Sequence, residues 1–140
     1  MNAEEVMLLF QEYDDPIRWN YPIGFDYQHA ITRFHDFREA LDKATGIRHL
    51  FETGGMIQDA SFHSEINLGV GWLRFSNFGN MVSISPDHEV DEQTLAIIED
   101  ICDQKGYFFI PTQFTERPYT GKNSGVTGIP DWWIRYFDWV

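Results

Sequence analysis

Apolar residues recur along this chain with two different periods, and the change of period separates helical from extended stretches. Over residues 2–13, Val6, Leu9, Phe10 and Tyr13 fall on one side of a helix. Asn2 stands where an N-cap belongs, and Glu4 and Glu5 lie in the first turn, where the helix dipole favours acids. Pro16 ends this element, because proline cannot continue a helix and pushes its predecessor to extended geometry. Residues 17–24, with Trp19, Tyr21 and Pro22, read as a connector pinned to the core by its rings. The clearest helix spans 27–44, with Asp26 as cap and Ala30, Ile31, Phe34, Phe37, Leu41 and Ala44 spaced by three and four. Gly46 closes it as a C-cap.

The period then shortens. Residues 47–51 are expected to form a short strand ended by Gly54 and Gly55. Over 61–68, Phe62, Ser64, Ile66 and Leu68 alternate with His63, Glu65 and Asn67, as in a strand buried on one face. Strands at 72–76 and 81–85 flank Asn77-Phe78-Gly79-Asn80, a hairpin loop. Asp91 caps a third helix to about Lys105, with Leu95, Ile97, Ile98, Ile101 and Cys102 inward and Gly106 as the stop. Residues 107–110 read as a buried strand and 112–130 as a long loop. Pro130 at the first helical position, followed by Asp131, predicts a short helix for the aromatic tail. The sum is one α+β domain over residues 1–140: an antiparallel sheet of about four strands with helices packed mainly on one face.

Composition narrows the functional classes. Acids outnumber bases 22 to 10, a net charge of −12. The excess is distributed, with 12 acids and 5 bases in residues 1–70 and 10 and 5 in residues 71–140. Such a balance disfavours nucleic acid and anionic membrane surfaces, whose affinity comes from Lys and Arg, and suits either an acidic protein with no charged partner or one that steers a basic partner electrostatically. The single cysteine, Cys102, cannot form an internal disulfide, which suits a reducing compartment. Met-Asn-Ala-Glu-Glu at the start has neither the basic nor the apolar region of a signal peptide, so a cytoplasmic location is expected.

No spacing of His, Cys or carboxylates matches a metal motif, so no cofactor is expected. Cys102 sits on the inner side of an acidic helix near its C-terminus, where a thiol pKa rises, so it reads as a packing residue rather than a nucleophile. Gly121-Lys122 has the wrong order, with no long helix after it, for a phosphate loop. Arg135, among the rings of the tail, can stack on them or hold a carboxylate such as Asp131 or Asp138. The strongest surface signal is acidic: between Asp87 and Asp103 lie seven acids and no Lys or Arg. Glu92, Glu99 and Asp103 form one stripe of the third helix, with Asp100 beside it. Opposite the apolar face, this is either an ordinary solvated helix face or the patch a binder of a cationic protein presents.

The acidic single-domain composition and the C-terminal Trp-Trp-Ile-Arg-Tyr-Phe-Asp-Trp together resemble small bacterial proteins of the toxin-immunity kind. The resemblance implies a non-catalytic inhibitor that covers the active site of a basic toxin, and it names no catalytic residue. The alternative is a small ligand-binding domain or enzyme. Its pocket would lie between the sheet and the 112–130 loop, with His63, Glu65, Tyr119 and Arg135 as its polar groups. A homodimer joined through the aromatic tails is a third arrangement.

Overall fold

The computed structural model describes residues 1–54, 57–86, 89–123 and 128–139. It has the α+β architecture that the periodicity predicts. Among the described residues five helices accompany one five-stranded sheet: α1 (Ala3–Glu12), α2 (Tyr27–Thr45), β1 (Phe51–Thr53), β2 (Phe62–Asn67), β3 (Trp72–Ser76), β4 (Met81–Ile84), α3 (Glu92–Lys105), β5 (Phe108–Phe109), α4 (Thr112–Thr115) and α5 (Trp132–Phe137). Strands follow chain order across the sheet; β1 to β4 are antiparallel and β5 runs parallel to β4. The parallel step is made by α3, the crossover length such a pair needs.

Local chemistry sets the helix limits. Asn2, Asp26 and Asp91 each accept a backbone N–H three residues ahead, from Glu5, His29 and Thr94. Gly46 and Gly106 end α2 and α3 in the left-handed conformation, at φ of 71° and 78°, which glycine adopts without a Cβ penalty. The tail differs by one position: Asp131 is the N-cap of α5 and accepts from Ile134 N–H, so Pro130 precedes the helix.

Two large clusters make most of the core, beside a small third one of Ile57, Ala60 and Phe62. Phe34, Phe37 and Leu41 of α2 and Ile98, Ile101 and Cys102 of α3 pack on Ile66, Leu73, Phe75, Val82 and Ile84, one face of the sheet. The second cluster joins Val6, Leu9 and Phe10 of α1 to Phe78, Met81, Phe114 and the tail's Trp132, Trp133, Tyr136 and Phe137. Phe10 stacks on Trp132 with ring centroids 4.9 Å apart. A sequence this rich in rings therefore builds its second core layer from the chain's end.

Four expectations change. The short strand lies at 51–53 and not 47–51, and Ile47 and Leu50 are exposed. β2 is buried on both faces, because Ser61 N–H donates to Asp138 O and the tail lies along it. The connector is pinned only in part by its rings: Trp19 and Pro22 are half-buried, Tyr21 is exposed, and Arg135 also holds the carbonyls of Trp19 and Arg18. Within the expected 112–130 loop, residues 112–115 form a helical turn.

Candidate functional site

The four groups expected to share a pocket do not gather. Glu65 lies on the sheet face opposite α2. It pairs with Arg74 across the β2–β3 register, Nε to Oε2 at 3.7 Å. Burial raises its pKa, and the neighbouring Arg74 opposes the rise. Arg74 also donates to Phe137 O and Asp138 Oδ1, both at 3.0 Å, and its guanidinium lies over Phe62 and Trp139. This cluster fastens the chain end to the sheet. Arg74 was not singled out from sequence, because its hydrogen-bond acceptors, Phe137 O and Asp138 Oδ1, lie more than sixty positions away.

Tyr119 and Arg135 do meet, at Asp14. Arg135 Nε donates to Asp14 Oδ1 at 2.7 Å, and both side chains are almost fully enclosed. Tyr119 Oη and Lys122 N–H donate to the same carboxylate. The remaining guanidinium nitrogens donate to Trp19 O, Asp15 O and Arg18 O, and the plane stacks over Phe78 and Tyr136. Neither Asp131 nor Asp138 takes the role expected of it. Each side-chain nitrogen of Arg135 and both oxygens of Asp14 have a partner within the fold, so this centre ties the tail to the connector. The glycine-rich stretch beyond Lys122 is described only in part, and Ser124 to Thr127 lie outside the described residues.

His63 stands apart from both centres. It lines a cleft of about 320 Å³ between α2, the connector and the β3–β4 loop. Phe25, Tyr13 and Tyr107 form its aromatic walls, and Arg33, Asn77 and Asn80 are among its polar lining. Burial and the nearby Arg33 charge push His63 down to about 3, so the imidazole is neutral. Among the described residues no group of three or more His, Cys, Asp or Glu could hold a metal ion.

The acidic residues of α3 are where the pattern placed them. Glu92, Glu99, Asp100 and Asp103 are exposed, and among the described residues none forms an ion pair. Lys105, the basic residue in the last turn of α3, is engaged with Asp36 of α2 at 2.9 Å. Their field reaches inward: burial, then the charges of Asp103 and Glu99, push the Cys102 thiol up to about 12. Beside this stripe the short edge strand β5 presents Phe108, 43% exposed. Two shallow depressions of about 230 Å³ each flank it, lined by Phe109, Pro111, Leu95 and Met1, with Glu99 on both. Asp87 and His88 lie outside the described residues. No helix among the described residues is long and apolar enough to cross a membrane. No family model, curated protein or solved structure matches the chain.

Proposed function

We propose that the chain is a non-catalytic protein-binding module of the immunity type, neutralising a basic partner through the outer face of α3 and the adjoining β5 edge. One observation supports this reading above the others: an unpaired acidic stripe borders exposed apolar surface at Phe108. Four like charges on one helix repel one another, and among the described residues none of the four is held in an ion pair. A cationic protein removes that repulsion on binding, while Phe108, Phe109 and Pro111 supply the apolar contact that carries affinity. The charge would act mainly on the rate of encounter, and the rings on the lifetime of the complex.

The test compares the native chain with the triple variant Glu92→Lys, Glu99→Lys, Asp103→Lys as immobilised baits in a low-salt extract of the source cells. The native bait is expected to capture one basic protein in stoichiometric amount, with capture weakened by salt and lost in the variant. Capture of the same protein at the same yield by both baits refutes the acidic-face reading.

A further inference from the structure

The acidic surface of α3 borders β5, one edge of the sheet, and β1 is the other edge. Asn67 N–H donates to Leu50 O at 2.8 Å, and in an antiparallel ladder the residues bonded to the neighbour alternate along the strand. The N–H and C=O of Phe51 therefore face away from β2, and among the described residues neither has a hydrogen-bond partner. An open edge of this kind is a template for another strand. Phe51 turns its ring toward α2, against Phe34 and His35. Alternation then places Leu50 and Glu52 on the opposite face, and exposed Arg48 beside buried His49 extends the pattern backwards. Leu50, in the middle of this row, is 75% exposed.

Charge identifies the occupant. Across the sheet Glu52 faces Glu65 and Glu65 faces Arg74, so the row runs acid, acid, base. Burial, and after it the charge of Glu52, raise the Glu65 pKa, with Arg74 opposing them. Among the described residues neither Glu52 nor Arg48 forms an ion pair. Opposite charges directly across a strand pair are stabilising and like charges destabilising, so the open side of Glu52 calls for a cation. The chain carries that cation itself. Two antiparallel copies of the edge, related by a two-fold axis at Leu50, set Leu50 on Leu50 and Arg48 of each copy opposite Glu52 of the other. An axis at Glu52 would bring the two Glu52 carboxylates together, and one at Phe51 would set Leu50 against Glu52. The net charge of −12 does not oppose the pairing here. Residues 38–53 hold three bases, Arg38, Lys43 and Arg48, and three acids, Glu39, Asp42 and Glu52.

We propose that β1 is a self-association edge: two copies pair antiparallel through residues 48–52, with Arg48–Glu52 pairs on either side of a central Leu50 contact. The ladder is short. Phe51 N–H of each copy donates to His49 O of the other, while His49 N–H is already donated to Asp42 Oδ1 at 3.1 Å. So small a contact makes a weak, reversible dimer and not an obligate one. It leaves both acidic faces open, because they lie at the far edge of the sheet.

The experiment is sedimentation equilibrium of the whole chain from about 5 to about 500 µM in low salt. The samples are the native chain, Arg48→Glu, Glu52→Arg and an equimolar mixture of these two variants. A reversible monomer–dimer equilibrium is expected of the native chain. Each variant alone brings like charges together at both contacts and should weaken the dimer by about tenfold or more. The mixture restores opposite charges at both contacts and should dimerise within about threefold of the native chain. Leu50→Lys, at the axis, gives a second reading that does not depend on the ion pairs, and it should leave the chain monomeric. The proposal is overturned if the native chain stays monomeric at about 500 µM, or if either reversal dimerises like the native chain. A mixture no tighter than its components, or a dimer that survives Leu50→Lys, overturns it as well; a dimer joined through the aromatic tails would give that last result. None of these outcomes bears on the acidic face, which is tested separately.

Discussion

Replacing Arg135 by Met removes the charge at the centre of the tail's attachment while keeping much of the side chain's length. Arg135 is fully buried and Asp14 nearly so. The substitution leaves the Asp14 carboxylate enclosed with only Tyr119 Oη and Lys122 N–H as donors. It also strips donors from Trp19 O, Asp15 O and Arg18 O, although Asn123 Nδ2 still reaches the last two. Breaking a buried pair from one side costs about 3–5 kcal/mol. Against a total stability of about 5–15 kcal/mol that is a large share, and at about 3–5 °C per kcal/mol the Tm should fall by roughly 10–20 °C. Urea unfolding followed by circular dichroism measures the loss. Adding Asp14→Asn to Arg135→Met removes the stranded charge and should restore about 1–2 kcal/mol, because the neutral amide oxygen still accepts from Tyr119 and Lys122. A loss below about 1 kcal/mol in the single variant, or no recovery in the double, would refute the view that a buried ion pair holds the tail.

Three further outcomes are expected. Gly121→Ala drives a Cβ into Asp14 Oδ2 and the Tyr119 ring, a matter of space and not of backbone freedom. It should cost about 1–3 kcal/mol by thermal unfolding, and a change under about 0.5 kcal/mol would show the loop yields freely. His63 is neutral in the fold down to about pH 3 and titrates near 6.5 when unfolded. The unfolded chain therefore binds the proton first, and stability is lost as pH falls below about 6.5. Between pH 7.5 and 5 this group alone removes about 2 kcal/mol; His63→Gln should flatten that part of the urea-midpoint profile, and an unchanged profile would contradict the burial argument. Cys102, buried with its thiol pushed up to about 12, should resist a thiol-specific reagent at pH 8 until urea unfolds the chain. Prompt labelling of the folded chain would count against it.

What could be read from the chain alone was whatever a residue settles with neighbours three or four positions away. Asn2, Asp26 and Asp91 were visible as caps, and Gly46 and Gly106 as stops, because a cap and its N–H lie within one turn. The exposed acids of α3 were legible for the same reason, since helical spacing alone puts them opposite the apolar face. Hidden from that reading were contacts closed over long stretches of chain. Arg135 invited pairing with Asp131 at one turn's distance, yet it meets Asp14, 121 positions away, because only the assembled core brings α1's end beneath the tail. The second buried face of β2 had the same origin: alternation along a strand cannot reveal that the chain's end will cover its other side. Asn77 and His63 share a cleft for a reason no spacing encodes. The connector runs past both, held there by Asn77 itself and by Arg135. The aromatic tail was readable as something that had to be buried, because five rings cannot remain in water without a large loss of hydrophobic free energy. Where it would be buried, and what it would fasten, depended on the tertiary structure.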